Sequence, residues 1–339
     1  MEPSRSPRRS CSRYACTGSG SRTPGPTSAR RRATRRNRSA RARRRGREER
    51  CGDDAGDVEP HCGLPGAHEA AAQFARGGDG RRRLLPRRRG ARPRGRAPRG
   101  SALVAGGAAA FNQVAERDLD EVMLRTRLRP MAAGRLTPTE GRLFAATLSA
   151  AGLIELALRV NTLTALVALA TLISYAGIYT PLKRRTAWAT LIGAVPGALP
   201  PVIGWTAARG ALTVEAWILF GIVFLWQLPH FHALSWLYRE DFGRAGLPLV
   251  ATRDPEGRRT ALHALLFTAA LIPLSLTPTA AGMAGPQHVM IAGALGALFL
   301  ALAIRFLARP CEARARALFV GSLVYLPLFW ISLLATPAL

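Results

Sequence analysis

The chain has 339 residues, 48 Lys+Arg against 21 Asp+Glu, and a formal net charge of +27. That average joins two unlike parts: residues 1–100 hold 28 Arg, no Lys and 9 acids, whereas residues 101–339 are mostly apolar. A uniformly basic soluble protein is therefore excluded, and so is a nucleic-acid partner, because Tyr14 and Phe74 are the only aromatics of the basic part and offer no stacking platform.

Taken in chain order, residues 1–100 come first. Runs such as RRRATRRNRSARARRRGREER have no apolar period and cannot bury enough surface to offset chain entropy, so the segment is expected to be disordered. It contains no apolar core of the signal-peptide kind, and Cys11, Cys16, Cys51 and Cys62 lack metal-ligand spacing. Lys183 is the only Lys beside 47 Arg, the mark of a GC-rich gene. Wrong-frame reading of such DNA yields Arg/Pro/Gly/Ala text, so much of residues 1–100 is expected to be mistranslated or mis-started, with the membrane domain occupying 101–339.

An apolar run over 102–111 amounts to half a membrane span and leads into FNQVAERDLDEVMLRTRLRP. Asn112, Glu116 and Asp120 stand at i, i+4 and i+8, which places an amide oxygen and two carboxylates along one helix face. Such a hard-oxygen stripe suits Mg²⁺ held together with substrate phosphates, although by itself it reads equally as an ordinary polar helix end. Asp118 and Glu121 point elsewhere and read as solvated charges. Arg125, Arg127 and Arg129 follow, and guanidinium forks match phosphate oxygens. Arg127 reads as a topology signal only.

Seven apolar spans come next, near 143–160, 162–180, 187–208, 212–236, 260–280, 287–307 and 315–336. Each approaches the ~20 residues that cross a ~30 Å hydrocarbon core. When connections are assigned to alternate sides, 18 of the 20 Lys and Arg of residues 101–339 fall on one side, leaving Arg159 and Arg209 on the other. The positive-inside rule makes the rich side cytoplasmic and puts the C-terminus outside. Glu155, with Arg159 at i+4, reads as a structural pair near the outer interface. In YTPLKRRTAWATLIGAVPGALPPVIGW, Lys183 and Arg184 emerge on the cytoplasmic side. Gly193 and Gly197 are spaced for close helix contact, and Pro196, Pro200 and Pro201 are expected to break the helix. In WQLPHFHALSWLYREDFGRAGLPL, Pro229 is expected to loosen a turn. His230 and Asp241 share a face if the helix continues, and Glu240 with Asp241 reaches the same membrane side as Glu116 and Asp120. His232 points away from His230 and reads as a satisfied polar contact.

Four strings in this order, N-x3-E-x3-D with RTRLRP, YTPLKRRT, IGAVPGALPPVIGW and WQLPHFHAL…REDF…AGLPL, resemble the UbiA-type intramembrane prenyltransferases over residues 102–339. RTRLRP and WQLPHF are similar to their protoheme IX farnesyltransferase (haem O synthase) branch. The resemblance implies an all-α, polytopic transmembrane helix bundle of nine helices, of which the first and half of the second have no counterpart here. It implies Mg²⁺ held by Asn112, Glu116, Asp120, Glu240 and Asp241, a diphosphate bound by Arg125, Arg129, Lys183 and Arg184, and catalytic roles for Arg125, Arg129 and His230. Relatives more often carry Tyr where Phe242 stands. The reaction implied is transfer of farnesyl from farnesyl diphosphate to a vinyl group of haem B, with water addition, giving haem O and diphosphate. The partners implied are the lipid bilayer of a bacterial inner membrane and a downstream haem A synthase or terminal oxidase assembly, with the active site on the cytoplasmic face. The competing readings are a relative with a phenolic acceptor and a multi-span transporter; the latter is disfavoured because the polar groups gather at one face rather than at the midplane.

Overall fold

The computed structural model describes residues 96–338, and the expectations for residues 1–95 lie outside them. Every regular element among the described residues is helical. Seven helices are long and apolar enough to cross a membrane, and they coincide with the seven spans read from hydropathy. They are α3 (Pro138–Arg159), α4 (Thr162–Leu182), α5 (Ala189–Arg209), α6 (Val214–Leu237), α8 (Arg258–Ala280), α9 (Pro286–Ala308) and α10 (Glu312–Ala335). Three further helices complete the set: α1 (Arg96–Ala115), α2 (Arg117–Val122) and α7 (Arg239–Arg244).

Local chemistry explains where these helices differ from their hydropathy windows. α3 begins five residues earlier than the apolar run because Thr137 and Glu140 close a capping box and Pro138 occupies the first turn. α1 is a 20-residue helix rather than the half-span expected from 102–111, long enough at ~1.5 Å per residue to cover ~30 Å. Its extra length is supported by packing, not hydropathy. Gly100 and Gly107 on α1 lie against Gly152, Ser149 and Ala145 on α3, so close that a Cβ at Gly152 would meet the backbone oxygen of Gly100 at 2.7 Å. Stripes of small residues let helix backbones approach in lipid, where apolar burial gives little drive to associate.

Proline effects also depart from expectation. α5 does break, but at Leu199, between Ala189–Ala198 and Pro200–Arg209, while Pro196 stays inside the first half. Gln227 Nε2 on α6 donates to the Ala194 carbonyl at 2.7 Å, so irregular backbone at membrane depth keeps a polar partner. Gly193 and Gly197 provide the expected close contacts, with the Tyr179 ring and the Gln227 amide respectively. Pro229 leaves α6 helical throughout. Glu155 and Arg159 form no ion pair, because Arg159, at the last helical position of α3, is exposed beyond the packed surface.

α6 is the hub of the second half of the bundle: it packs on α5, α8 and α10, and α9 closes the group between α8 and α10. The core there is aromatic, with Phe299, Phe306, Tyr325 and Phe329 fully buried. Outward faces carry exposed Leu158, Met290, Leu298 and Ile331, as lipid-facing surfaces do. Overpacking a well-filled contact costs about 1–3 kcal/mol. Gly152→Leu is therefore expected to lower the Tm of the solubilised protein by several degrees. Gly293→Leu, where a Cβ meets nothing, is expected to leave Tm unchanged; equal losses from both would refute the close-packing account.

Candidate functional site

The stripe Asn112, Glu116 and Asp120 survives a kink. Glu116 leaves helical geometry between α1 and α2, yet Glu116 N–H still donates to Asn112 O and Asp120 N–H to Glu116 O, so the i, i+4, i+8 register is kept. Glu116 is 2% exposed and Asp120 0%, while Asp118 and Glu121 face outward as expected. Two buried carboxylates near one another need countercharge, since burying an unpaired ion is costly.

The chain supplies it from two directions. Lys183 Nζ sits 3.2 Å from both Glu116 oxygens. Arg129 Nη1 lies 3.1 and 3.0 Å from the two Asp120 oxygens. Asn112 Nδ2 donates to Glu116 Oε2 at 3.1 Å, and Asn112 Oδ1 accepts from Thr180 Oγ1 at 3.2 Å. Arg184 caps the end of α1 by donating to Ala115 O at 3.1 Å. Arg125 is exposed and lies over the Tyr238 ring, 5.5 Å from its centroid.

The second acidic motif meets the first at one point. Asp241 Oδ1 accepts the Leu124 backbone N–H at 3.3 Å, one turn beyond Asp120, and also pairs with Arg244. Beneath this bond Met123 packs with Phe242, Leu247 and Leu249, flanked by Leu119 and Tyr238. The Phe242 ring thus has an apolar role where a tyrosine was noted in relatives.

Not every expected residue joins. Glu240 is exposed and makes no contact with the acids. His230 turns into the bundle instead of toward the mouth. α6 ends at Leu237 and the chain turns at Tyr238 before α7, so the face shared by His230 and Asp241 is interrupted. The His230 ring is stacked between Trp226 and Phe319, with Nδ1 2.8 Å from Ser322 Oγ on α10. His232 bonds the Leu228 carbonyl through Nδ1 at 2.7 Å, the satisfied contact expected of it.

Two site-adjacent residues escaped the sequence reading, Tyr175 and Tyr179. Residues Ile173–Tyr179 of α4 form a π-helix, a rare distortion that recurs at functional sites. It sets the two rings 5.5 Å apart in a tilted pair, puts the Lys183 ammonium 6.0 Å over the Tyr179 ring and lets Thr180 Oγ1 reach the Tyr175 carbonyl at 2.9 Å. The available signal was the i, i+4, i+8 spacing of Tyr175, Tyr179 and Lys183.

As a metal centre the donor set is hard oxygen: Glu116, Asp120, the Asn112 amide and, across the junction, Asp241. Among the described residues no three His, Cys, Asp or Glu converge tightly enough to hold an ion alone. Hard-oxygen donors of this kind are the type that Mg²⁺ takes together with waters and phosphate oxygens. Arg129 and Lys183, already lying on the carboxylates, are the cations nearest to such a ligand.

Residues 97–334 match the model of the UbiA prenyltransferase family. The protoheme IX farnesyltransferase of Solibacter usitatus is 46% identical over 240 residues, covering 70% of this chain and 82% of that protein. That of Opitutus terrae is 43% identical, covering 67% and 78%. Among solved structures, a digeranylgeranylglyceryl phosphate synthase superposes with a TM-score of 0.65 at 13% identity, over 80% of this chain and 91% of its own. A UbiA homologue from Archaeoglobus fulgidus, bound to GPP and Mg²⁺, superposes at 0.52 with 16% identity, over 80% and 95%. At these identities the structural likenesses speak to fold alone.

Removing one partner of a buried pair costs about 3–5 kcal/mol because the other charge is stranded. Lys183→Met is expected to lower Tm markedly, and adding Glu116→Gln is expected to restore most of the loss. A double variant no more stable than Lys183→Met would show that the pair is not coupled.

Proposed function

The chain belongs to the UbiA prenyltransferase family, and on that premise we propose that it transfers the farnesyl group of farnesyl diphosphate to a vinyl group of haem B. Water adds to the product cation, giving haem O, diphosphate and a proton. The acceptor reading is supported by relatives named protoheme IX farnesyltransferase, 40–46% identical over about two thirds or more of both chains. The observation that carries the site is the bond from Leu124 N–H to Asp241, which joins the two acidic motifs at one end of the bundle.

The chemistry asked of the chain is ionisation of an allylic C–O bond, in which negative charge grows on the departing diphosphate. Asn112, Glu116, Asp120 and Asp241 would hold Mg²⁺, whose chemistry is that of a Lewis acid and template for the diphosphate. Arg129 and Lys183 would turn from their carboxylates toward phosphate oxygens, with Arg125 and Arg184 adding charge from the exposed rim. Preorganised cations in a water-poor site stabilise developing charge more than they would in bulk water. The vinyl group then forms the new C–C bond with farnesyl C1, and water captures the cation left on the porphyrin side chain. His230, tied to Ser322 inside the bundle, acts as a positioning group for α6 and α10 rather than as a proton donor at the diphosphate.

The charge asymmetry of the loops supports a bacterial inner-membrane location with this site on the cytoplasmic side and the C-terminus outside. Haem O would then pass to a haem A synthase or a terminal oxidase assembly.

The test is an assay of membranes with haem B, farnesyl diphosphate and Mg²⁺, read by chromatography for haem O. Asp120→Ala and Arg129→Ala are each expected to lower haem O formation by roughly 10²-fold or more while the protein still inserts, the scale on which a single charge-stabilising group acts. Normal yield from either variant would remove that residue from the site.

A further inference from the structure

At the cytoplasmic end of α6, two donors have no acceptor. Trp236 is 5% exposed, and its Nε1–H has no hydrogen-bond partner. Arg239, three residues on, has a buried Nε–H that is likewise unpartnered. Its guanidinium is held in place rather than free: it stacks 4.6 Å from the centroid of the Trp236 ring and donates from Nη1 to the Trp236 carbonyl at 3.0 Å. The indole is itself fixed, edge-on to Phe306, with Gly257 close against the ring. Among the described residues no carboxylate pairs with Arg239: its neighbour Glu240 is exposed, and Asp241 is engaged by Leu124 and Arg244.

A partly buried guanidinium without a counterion, next to a fully buried N–H without an acceptor, is an arrangement that folding alone does not favour. The two donors lie on one stacked Trp–Arg pair, so a single anion against it could take both, and a guanidinium suits a planar, two-oxygen one. The diphosphate already has its own cations, Arg129 and Lys183, on the acidic stripe of α1 and α2. Resting on the reading of the chain as a haem farnesyltransferase, we infer that Trp236 and Arg239 form a carboxylate subsite that takes a propionate of the haem acceptor. Haem is apolar except for its two propionates, and an acceptor entering from the bilayer would leave these at the membrane boundary. Trp236 stands there, one residue before the end of α6. Anchoring a propionate fixes which edge of the porphyrin turns toward the farnesyl carbon.

The experiment compares haem B with its dimethyl ester, whose propionates carry no charge, using full-length protein in phosphatidylcholine nanodiscs. The wild type is expected to favour haem B in kcat/KM by about tenfold or more, the scale of one charge-assisted hydrogen bond. Trp236→Phe, which keeps the ring and removes the N–H, and Arg239→Gln should each raise KM for haem B and erase most of this preference, with KM for farnesyl diphosphate unchanged. Arg239→Lys should recover part of it. Equal use of both acceptors by the wild type, or variants that keep the wild-type ratio, overturns the subsite while haem O still forms. A preference that appears or vanishes only when phosphatidylglycerol is added assigns the donors to a lipid phosphate and also overturns it. Absence of haem O from the wild type with either acceptor would instead remove the farnesyltransferase reading beneath it.

Discussion

Everything at the end of the bundle where the acidic motifs meet follows from burying two carboxylates, Glu116 and Asp120, among apolar helices. Buried carboxylates call for positive charge close by, and the chain brings it from two separate places: Arg129 from the loop after α2, and Lys183 from the end of α4. Those pairings fix the ends of three elements. They also explain why the π-helix of α4 is tolerated, since it brings Thr180 within reach of Asn112 and Lys183 to Glu116 together. A regular α-helix through Ile173–Tyr179 would turn Thr180 and Lys183, which both follow it, together relative to the helix before it.

The same requirement governs the link between the two halves of the bundle. α1 belongs with α3 through small-residue contacts, and α6 anchors the group α8–α10. What brings the two acidic motifs together is slight by comparison: one backbone N–H to Asp241 and the apolar patch of Met123, Phe242, Leu247 and Leu249. This junction of one hydrogen bond, worth about 1 kcal/mol net, and a few buried side chains adds to the packing of α5 on α6, which also joins the halves.

How much of this was legible beforehand depended on whether the signal was local. The seven spans were readable because hydropathy is summed over a segment. Asn112, Glu116 and Asp120 were readable because their spacing lies within one helix. The partners of the acids were not, since Lys183 meets Glu116 across 67 residues and Asp241 meets Leu124 across 117, and such contacts depend on how helices pack. His230 was misplaced for a related reason: extending α6 through Tyr238 was the simplest geometry, but the chain turns there. α1 was underestimated because Gly and Arg lower its hydropathy, although the glycines are what allow it to pack.

The placement of positive charge also constrains how a ligand can be accepted. In the proposed function, a divalent cation and a diphosphate arrive at a site whose own charges are already balanced in pairs. If Arg129 and Lys183 were fixed on their carboxylates, the metal would face neutralised oxygens and the diphosphate would face only Arg125 and Arg184 at the exposed rim. If they exchange, each carboxylate passes from ammonium or guanidinium to metal while each cation passes to phosphate, and no charge is left unpaired in low dielectric at any stage. Exchange needs side chains long enough to reach both positions, and Lys and Arg meet that need where a shorter group would not. On that proposal the pairs seen in the structure would be the resting half of the binding equilibrium, their cost of opening offset by equivalent contacts on the ligand.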